Sequence, residues 1–282
     1  MNSASGELTT GLSIGDAEFR IISDLIQGQF GIQLPEAKRG LVEQRLRSLV
    51  RELGCDSFAE FCRTHMRGAP SREILSRMVD RISTNHTFFW RESEHFVHFR
   101  DTVLPELAQS RRSDRDLRLW CAAAATGEEP WTLAMLVTEA LGGEGWRAGV
   151  LATDISARAL EIAEQGVYTA ENIKGLPKAL KDRWLVPLPN GGLSMHDKLR
   201  AEVTFRRLNL IGEDFPFRRP FDVVFCRNVM IYFDEPTRRD DVARIAKVTT
   251  SGGRLYIGHS ETLGREDPNW RFERPGVYRR TP

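Results

Sequence analysis

The feature that most constrains the fold is a change in hydrophobic spacing near residues 110–116. Before this point apolar residues recur at the spacing of one helix face, and after it short apolar runs alternate with helix-like segments. Strands that alternate with helices form βαβ units, which build a parallel sheet with right-handed crossovers. The sequence therefore predicts an α/β protein in which a small helical domain precedes a doubly wound domain.

Four short helices are predicted in the first domain. Asp16, Ser57 and Ser71 each precede an amphipathic stretch and are expected to cap it, because a short polar side chain can accept hydrogen bonds from the first backbone N–H groups. Pro35 suits the first position of the second helix, and Gly54 is expected to end that helix. These signals predict a small bundle.

The second domain contains four clear strand segments, at residues 117–121, 148–153, 221–226 and 253–258. An Asn190-Gly191 turn between short extended runs predicts an inserted hairpin, a small antiparallel β-subdomain at about 184–205. The predicted divisions are a flexible N-terminus at 1–15, a helical domain at 16–83, a linker loop and helix at 84–116, and the doubly wound domain at 117–282.

The composition excludes several classes of protein. The net charge is +1, which argues against bulk electrostatic binding of nucleic acid or anionic lipid. No apolar run approaches the roughly 18 residues that span a bilayer, and the first fifteen residues lack the pattern of a secretory signal. The four cysteines form no C-x-x-C pair, so free thiols in a reducing cytoplasm are expected.

The loop after the first predicted strand indicates the kind of ligand. A dinucleotide site needs several glycines here, but the loop has only Gly127, followed by Glu128 and Glu129. Acids repel a pyrophosphate and suit ammonium groups or hydroxyls, and Asp154 ends the second strand where it can accept from a ribose. A nucleoside with a cationic tail indicates S-adenosylmethionine. Acids that merely favour the helix dipole are the alternative for all three carboxylates.

Five strings of the sequence, in this order, resemble the CheR-type chemotaxis receptor methyltransferases. They are Thr84–Glu92, Ala124–Pro130, Ala152–Ile155, Phe225–Phe233 and Gly258–Glu261. The resemblance runs from about Asp16 to the final strand. It implies a helical domain, a class I (Rossmann-like) methyltransferase domain and a small β-subdomain. It also implies that S-adenosylmethionine is the methyl donor, that S-adenosylhomocysteine is the product, and that no metal takes part.

The resemblance also implies the residues of the site. The cofactor-binding residues implied by the motifs are Asn85, Thr87, Arg91, Glu129, Asp154, Asn209, Leu210, Arg227 and Asn228. Arg91 and Tyr232 are the implied catalytic residues, as groups that position the substrate. Without the resemblance, Arg91 reads as a surface residue beside a helix, and Tyr232 as an aromatic packed beside Phe233.

The implied reaction transfers the methyl group to glutamate side chains of chemoreceptors and forms glutamyl methyl esters for adaptation in chemotaxis. An ionised carboxylate is already a nucleophile, so alignment and exclusion of water are expected to dominate over general base catalysis. The remaining alternatives are a methyltransferase with an RNA or small-molecule acceptor, and a non-catalytic module that senses S-adenosylmethionine and binds a receptor. No Asn-Pro-Pro-Tyr-like motif of amine methylation is present.

The second helix carries a local positive charge that the net charge conceals. Its basic residues are Lys38, Arg39, Arg45, Arg47 and Arg51. The resemblance implies that they meet an acidic surface of the receptor, whereas a solvated helix face is the ordinary alternative. The expected partners are cytoplasmic signalling domains of chemoreceptors, with a receptor C-terminal pentapeptide on the β-subdomain and no nucleic acid. The protein is expected to be a cytoplasmic monomer, without membrane insertion, recruited to receptor arrays.

Overall fold

The computed structural model describes residues 12–142, 145–264 and 267–282, so most of the predicted flexible N-terminus lies outside the described residues. The chain divides into two compact units, with the boundary between Thr84 and Asn85. The second unit therefore begins inside the segment that the sequence assigns to a linker.

The first unit consists of four helices. They are α1 (Asp16–Phe30), α2 (Arg39–Glu52, after a 3-10 turn at Glu36–Lys38), α3 (Phe58–His65) and α4 (Arg72–Ile82). Ser57 accepts from the backbone N–H of Glu60, and Ser71 from that of Ile74, which confirms two of the three predicted caps. The third prediction is wrong. Gly15 occupies the cap position of α1, and Asp16, the first helical residue, forms a 2.6 Å ion pair with Arg39 instead.

The second unit begins with a nearly continuous helical segment. It comprises α5 (Ser93–His98), a π-helical turn (Phe99–Val103) and α6 (Leu104–Ser110). Phe96, Phe99 and Leu104 belong to the same buried cluster as the central strands of the unit. The burial of these side chains explains why this segment is part of the α/β unit.

The remaining elements include a strand at each of the four predicted positions, but several strands also follow one another without an intervening helix, as in the last three elements. They are β1 (Asp116–Cys121), α7 (Glu128–Leu141), β2 (Arg147–Asp154), α8 (Ala157–Gln165), β3 (Val167–Tyr168), α9 (Lys178–Trp184), β4 (Leu185–Pro187), β5 (Leu193–Met195), α10 (Asp197–Arg200), β6 (Val203–Arg207), β7 (Phe221–Phe225), α11 (Glu235–Lys247, after a 3-10 turn at Met230–Tyr232), β8 (Thr249–Tyr256), β9 (Trp270–Arg274) and β10 (Val277–Arg280).

Seven strands form the large sheet, in the order β6-β2-β1-β7-β8-β10-β9. The first five are parallel, with Leu119 beside Val150 on one side and Val223 on the other, while β10 is antiparallel to both β8 and β9. The strand order reverses at β1, so the carboxyl ends of β1, β2 and β7 border the crevice where such sheets bind ligands. The predicted α/β fold class is confirmed.

Alternate residues of β1 enter two different cores. Leu119 and Cys121 belong to the cluster on one face of the sheet, and Trp120 and Ala122 to the cluster on the other. The indole N–H of Trp120 donates to the hydroxyl of Thr153 at 2.9 Å, which satisfies its buried polar atom. Because both faces are covered, the second half of the strand, Leu119–Cys121, is apolar on both faces.

A separate sheet has the order β3-β5-β4 and forms the predicted antiparallel β-subdomain. The turn at residues 188–192 connects β4 to β5, with Gly191 in the left-handed region. The assignment of residues 203–205 to this insert is wrong. Val203–Arg207 pairs in parallel with β2, with Phe205 beside Ala152, and therefore forms the edge of the large sheet.

Candidate active site

The loop between β1 and α7 lies at the carboxyl edge of the large sheet and is tied to the end of β2. One carboxylate oxygen of Asp154 accepts from the backbone N–H of Ala125 at 2.8 Å, and the other from that of Ser156 at 2.9 Å. Ala125 has a φ of 46°, a conformation that persists only where neighbouring contacts hold it. Asp154, predicted to bind a ribose, thus also fixes the loop that faces the crevice.

The two adjacent acids of the loop have different surroundings. Glu128 is buried and accepts from the hydroxyl of Thr126 at 2.7 Å, and burial raises the pKa of its carboxyl. Glu129 accepts from the thiol of Cys121 at 3.1 Å and forms an ion pair with Arg227. Of the two, Glu129 is the one whose carboxylate forms an ion pair with a residue that follows β7, the neighbour of β1 in the sheet.

Arg227 follows β7, and its guanidinium is almost wholly buried. It donates to Glu129, to a carboxylate oxygen of Glu92 at 3.0 Å and to the backbone carbonyl of Arg91 at 2.5 Å. Burial opposes the charge, but Glu129 and Glu92 outweigh it, so the pKa of Arg227 is raised. The sequence leaves the contacts of this arginine open, and the structure shows these three to be contacts within the protein.

Asn228 adopts a left-handed conformation, with a φ of 58°. Its side-chain amide donates to Glu92 at 3.1 Å, and its backbone N–H donates to Glu261 at 2.9 Å. Glu261 also accepts from the backbone N–H groups of Gly258 and Ile231. Glu92 and Glu261 join these loops but are absent from the predicted site residues, although each ends one of the five resembling strings.

The loop at residues 85–91 carries three of the predicted site residues. Asn85 and Thr87 are half-buried. The guanidinium of Arg91 donates to the backbone carbonyl of His86 at 3.0 Å and lies over the ring of Phe88, with 6.0 Å between guanidinium carbon and ring centroid. Arg91 is therefore joined to its own loop through its side chain and to Arg227 through its backbone.

The segment after β6 carries two more predicted residues, Asn209 and Leu210, and is joined to the end of β2. The backbone N–H of Leu208 donates to the carbonyl of Asp154 at 3.0 Å. Asn209 accepts from the backbone N–H of Ile211 at 3.1 Å, and Leu210 is buried in the core. Tyr232 is half-buried and packs against the same core cluster. The position of Tyr232 is therefore also compatible with a role in packing alone.

Glu92, His95 and His259 form a cluster whose possible metal-donor atoms lie within 4.8 Å of one another. His95 is fully buried, and burial, followed by the charge of Arg227, lowers its pKa to about 3. Glu92 already accepts hydrogen bonds from Arg227 and Asn228. A cation at this cluster would have to share that carboxylate with a guanidinium, so the cluster suits the joining of loops better than metal binding.

Four of the five basic residues predicted to bind a receptor lie on α2, and Lys38 lies in the 3-10 turn before it. Arg39, Arg45 and Arg47 have partners inside the first unit. Arg39 pairs with Asp16 and Glu36, and Arg47 pairs with Glu43. Arg45 donates to the backbone carbonyls of residues 82 and 83 at the end of α4, at 2.5 and 3.2 Å. Charged side chains that satisfy the last carbonyls of a helix stabilise its terminus, so Arg45 has a clear structural role.

A doubly wound sheet whose first loop carries acids and whose second strand ends in an acid defines an α/β domain suited to a nucleoside ligand with a cationic tail. Comparison with known proteins assigns the family. A family model described as the SAM binding domain of CheR methyltransferase matches residues 85–275, and one described as its all-alpha domain matches residues 17–83. The chain belongs to the CheR methyltransferase family and is an S-adenosylmethionine-dependent methyltransferase.

Curated relatives match the chain over most of its length. The "Chemotaxis protein methyltransferase" of Borreliella burgdorferi is 35% identical over 99% of this chain and 100% of that protein. The protein of that name from Escherichia coli is 34% identical over 96% and 93%, respectively. The "Chemotaxis protein methyltransferase 2" of Pseudomonas aeruginosa is 37% identical over 87% and 86%. Among the described residues, no helix combines the length and apolar character needed to cross a membrane.

Proposed function

We propose that the protein transfers a methyl group from S-adenosylmethionine to glutamate side chains of chemoreceptors and so forms glutamyl methyl esters. The observation that carries this acceptor is the match to chemotaxis protein methyltransferases across both units of the chain. The helical unit is shared with these relatives as well as the α/β unit. In this proposal the protein acts as a monomer in the cytoplasm, at arrays of membrane receptors.

The groups at the carboxyl edge of the sheet suit the cofactor. S-adenosylmethionine supplies a methyl group on a sulfonium sulfur and carries an ammonium group and ribose hydroxyls. Asp154 and Glu129 offer carboxylate acceptors for such groups, and the β1–α7 loop contains no basic residue that would favour a pyrophosphate. The proposed cofactor-binding residues are Asn85, Thr87, Arg91, Glu129, Asp154, Asn209, Leu210, Arg227 and Asn228.

The proposed acceptor supplies its own nucleophile. A receptor glutamate is ionised near neutral pH, so the protein needs only to align the carboxylate with the methyl group and exclude water. We assign this positioning to Arg91 and Tyr232. Burial raises the pKa values of the Cys121 and Cys226 thiols well above normal. A thiolate nucleophile of the enzyme is therefore disfavoured, which agrees with a nucleophile supplied by the acceptor.

The basic residues of α2, with Lys38 just before it, remain the proposed receptor-binding residues. They differ in exposure and in their contacts within the first unit. Arg51 is exposed near the end of the helix, while Lys38 and Arg47 are half-exposed. Arg39 and Arg45 hold neighbouring segments of the first unit. We therefore propose Arg51 as the residue through which the acidic receptor surface is best tested, since its substitution leaves those contacts intact.

The β-subdomain is the proposed site for a receptor C-terminal pentapeptide. Strand β4 is an edge of the small sheet, and the side chain of Val186 on it is exposed. An exposed edge can accept a further strand through main-chain hydrogen bonds. A cleft beside this edge offers apolar surface together with one basic and one acidic group; it is lined by Ile173, Lys181, Asp182, Leu185, Pro187 and Leu193.

The decisive experiment mixes the protein with radiolabelled S-adenosylmethionine and a chemoreceptor signalling domain. We expect base-labile methyl incorporation, because glutamyl methyl esters hydrolyse in alkali. RNA and an unrelated helical protein serve as control acceptors. If cofactor binding is intact but no cognate receptor is methylated, or if RNA is labelled instead, the proposed acceptor is wrong.

A further inference from the structure

The carboxylate of Glu92 lies at the meeting point of three loops. Its Oε1 accepts from the side-chain amide of Asn228 at 3.1 Å, and its Oε2 accepts from Arg227 at 3.0 Å and from the backbone N–H of His259 at 3.2 Å. Asn228 follows β7, His259 follows β8, and Glu92 itself precedes α5. The side chain is only 14% exposed, so these bonds are shielded from water.

The backbone around Glu92 adopts conformations that need support. Trp90 and Glu92 have φ values of 67° and 55°, and Asn228 has a φ of 58°. A left-handed conformation is unfavourable for residues other than glycine, so such residues persist where surrounding contacts hold them. Between the first two, the carbonyl of Arg91 accepts from Arg227 at 2.5 Å. The backbone of Arg91 is thus held by the guanidinium that Glu92 binds.

The charges allow this carboxylate to be changed without leaving a buried charge alone. Arg227 would keep Glu129 as its partner if Glu92 were neutral. Burial disfavours the charged form of Glu92, but the hydrogen bond from Asn228 and the charge of Arg227 outweigh it, so the pKa of Glu92 is lowered. The carboxylate form of Glu92 is therefore favoured, and its contacts can be tested by substitution.

We propose that Glu92 is a positioning residue, which holds Arg91 and Asn228 in the arrangement that binds S-adenosylmethionine. This inference rests on the proposed cofactor roles of Arg91 and Asn228. The carboxylate of Glu92 fixes the side chain of Asn228 directly. By way of Arg227, it also fixes the backbone of Arg91.

The experiment compares Glu92→Gln and Glu92→Ala with Glu106→Gln in the full chain. The control removes the charge of one of the two carboxylate partners, Glu106 and Glu273, of another buried arginine, Arg254; Glu106 itself is more exposed than Glu92. Affinity for S-adenosylhomocysteine is measured by calorimetry, together with Tm and the kcat and KM for methyl transfer. We expect Glu92→Gln to weaken binding about tenfold and Glu92→Ala further, as expected for loss of charged hydrogen bonds. Glu106→Gln should bind like the wild type.

The outcomes separate positioning from a role in stability alone. If Glu92→Gln and Glu106→Gln lower Tm equally and both bind S-adenosylhomocysteine within about twofold of the wild type, the proposal is overturned. A raised KM for S-adenosylmethionine in the Glu92 variants at unchanged Tm supports it. Glu92→Gln is nearly isosteric, so it keeps the test valid if the alanine variant fails to fold. Because the binding measurement needs no receptor, it is independent of whether the proposed acceptor is correct.

Discussion

At the scale of single residues, carboxylates near the crevice accept hydrogen bonds from the protein's own backbone. Asp154 is the clearest case, because its two oxygens accept from Ala125 and Ser156 on two different loops. A carboxylate held by two backbone N–H groups is fixed in position before any ligand arrives. Such fixing lowers the entropy cost of binding.

We predict that Asp154→Ala weakens binding of S-adenosylhomocysteine by tenfold or more, since the variant loses a charged acceptor and the fixed loop. The measurement is calorimetry on the folded protein. Asp116→Ala is the matched control, because Asp116 is also a buried acid at a strand end, but at the opposite edge of the sheet. Equal affinity of the Asp154 variant and the wild type would remove Asp154 from the cofactor site.

A second buried carboxylate, that of Asp241, lies in α11. Asp241 is fully buried, with one oxygen 3.2 Å from Arg244 and the other without a hydrogen-bond partner in the described structure. Burial raises the pKa of its carboxyl to about 7, although Arg244 acts in the opposite direction. The folded protein therefore binds this proton more tightly than the unfolded chain, whose pKa is near 3.8. Stability from this group is complete below the unfolded value and is lost as the pH rises through 7.

Asp241→Asn should therefore gain stability relative to the wild type as the pH rises. Between pH 5 and pH 8 we expect the difference in free energy of unfolding to shift by about 2 kcal/mol in favour of the variant. Urea unfolding at both pH values measures it. Asp240→Asn, an exposed neighbour on the same helix, is the control and should show no such trend. A difference that is constant with pH would show that Asp241 does not titrate in this range.

At the scale of elements, the junction of the first loop with α7 depends on a glycine. Gly127 has a φ of 99°, which favours glycine, and a Cβ there would come within 2.7 Å of the hydroxyl of Tyr168 and 2.8 Å of the side chain of Ala163. Tyr168 in turn donates to the carbonyl of Thr126 at 2.7 Å. Glycine is therefore required at position 127 for two reasons: the positive φ of the turn and the close packing of α8 against it.

Gly127→Ala should cost about 3 kcal/mol in free energy of unfolding, since backbone strain and steric overlap add. Gly191→Ala isolates the first contribution, because Gly191 has a φ of 80° with no atom near its Cβ position. That variant should cost about 1 kcal/mol. Denaturant unfolding of both measures the difference. If both variants lose the same free energy of unfolding, the overlap of the new Cβ with Tyr168 and Ala163 is relieved by small shifts and does not destabilise the protein.

Prediction of the elements succeeded where local signals were strong. Ser57 and Ser71 cap their helices, and the hairpin turn near Gly191 lies where the sequence places it. Residues 203–205 belong to the large sheet and not to the predicted insert, because the length and pattern of this strand do not reveal its partner. Its pairing with β2 joins segments about fifty residues apart, and such long-range pairing depends on the packing of the whole unit.

At the scale of the whole molecule, the chain forms two compact units. The second unit has buried clusters on both faces of its large sheet, and it contains all the proposed cofactor residues. A unit with its own core and its own site can fold without the rest of the chain.

We predict that a fragment of residues 85–282 folds and binds S-adenosylhomocysteine within about threefold of the full chain. Circular dichroism and calorimetry measure folding and binding. Methyl transfer to a receptor domain should be strongly reduced in the fragment, because the proposed receptor-binding helix α2 is absent. A folded fragment that methylates the receptor at the full rate would contradict the proposed role of α2.

The sequence by itself determined the α/β fold class, the helical first unit, the resemblance to a methyltransferase family and the acidic character of the crevice loop. These depend on periodicity, capping and residue type, which are local properties. Only the tertiary structure decided which charges meet. It placed Arg227 between Glu129 and Glu92, and it joined Asn228 to Glu261. The reason is that the partner of a buried charge lies on whichever strand end packs beside it. That strand end can be far away in the sequence, so the spacing of residues does not predict it.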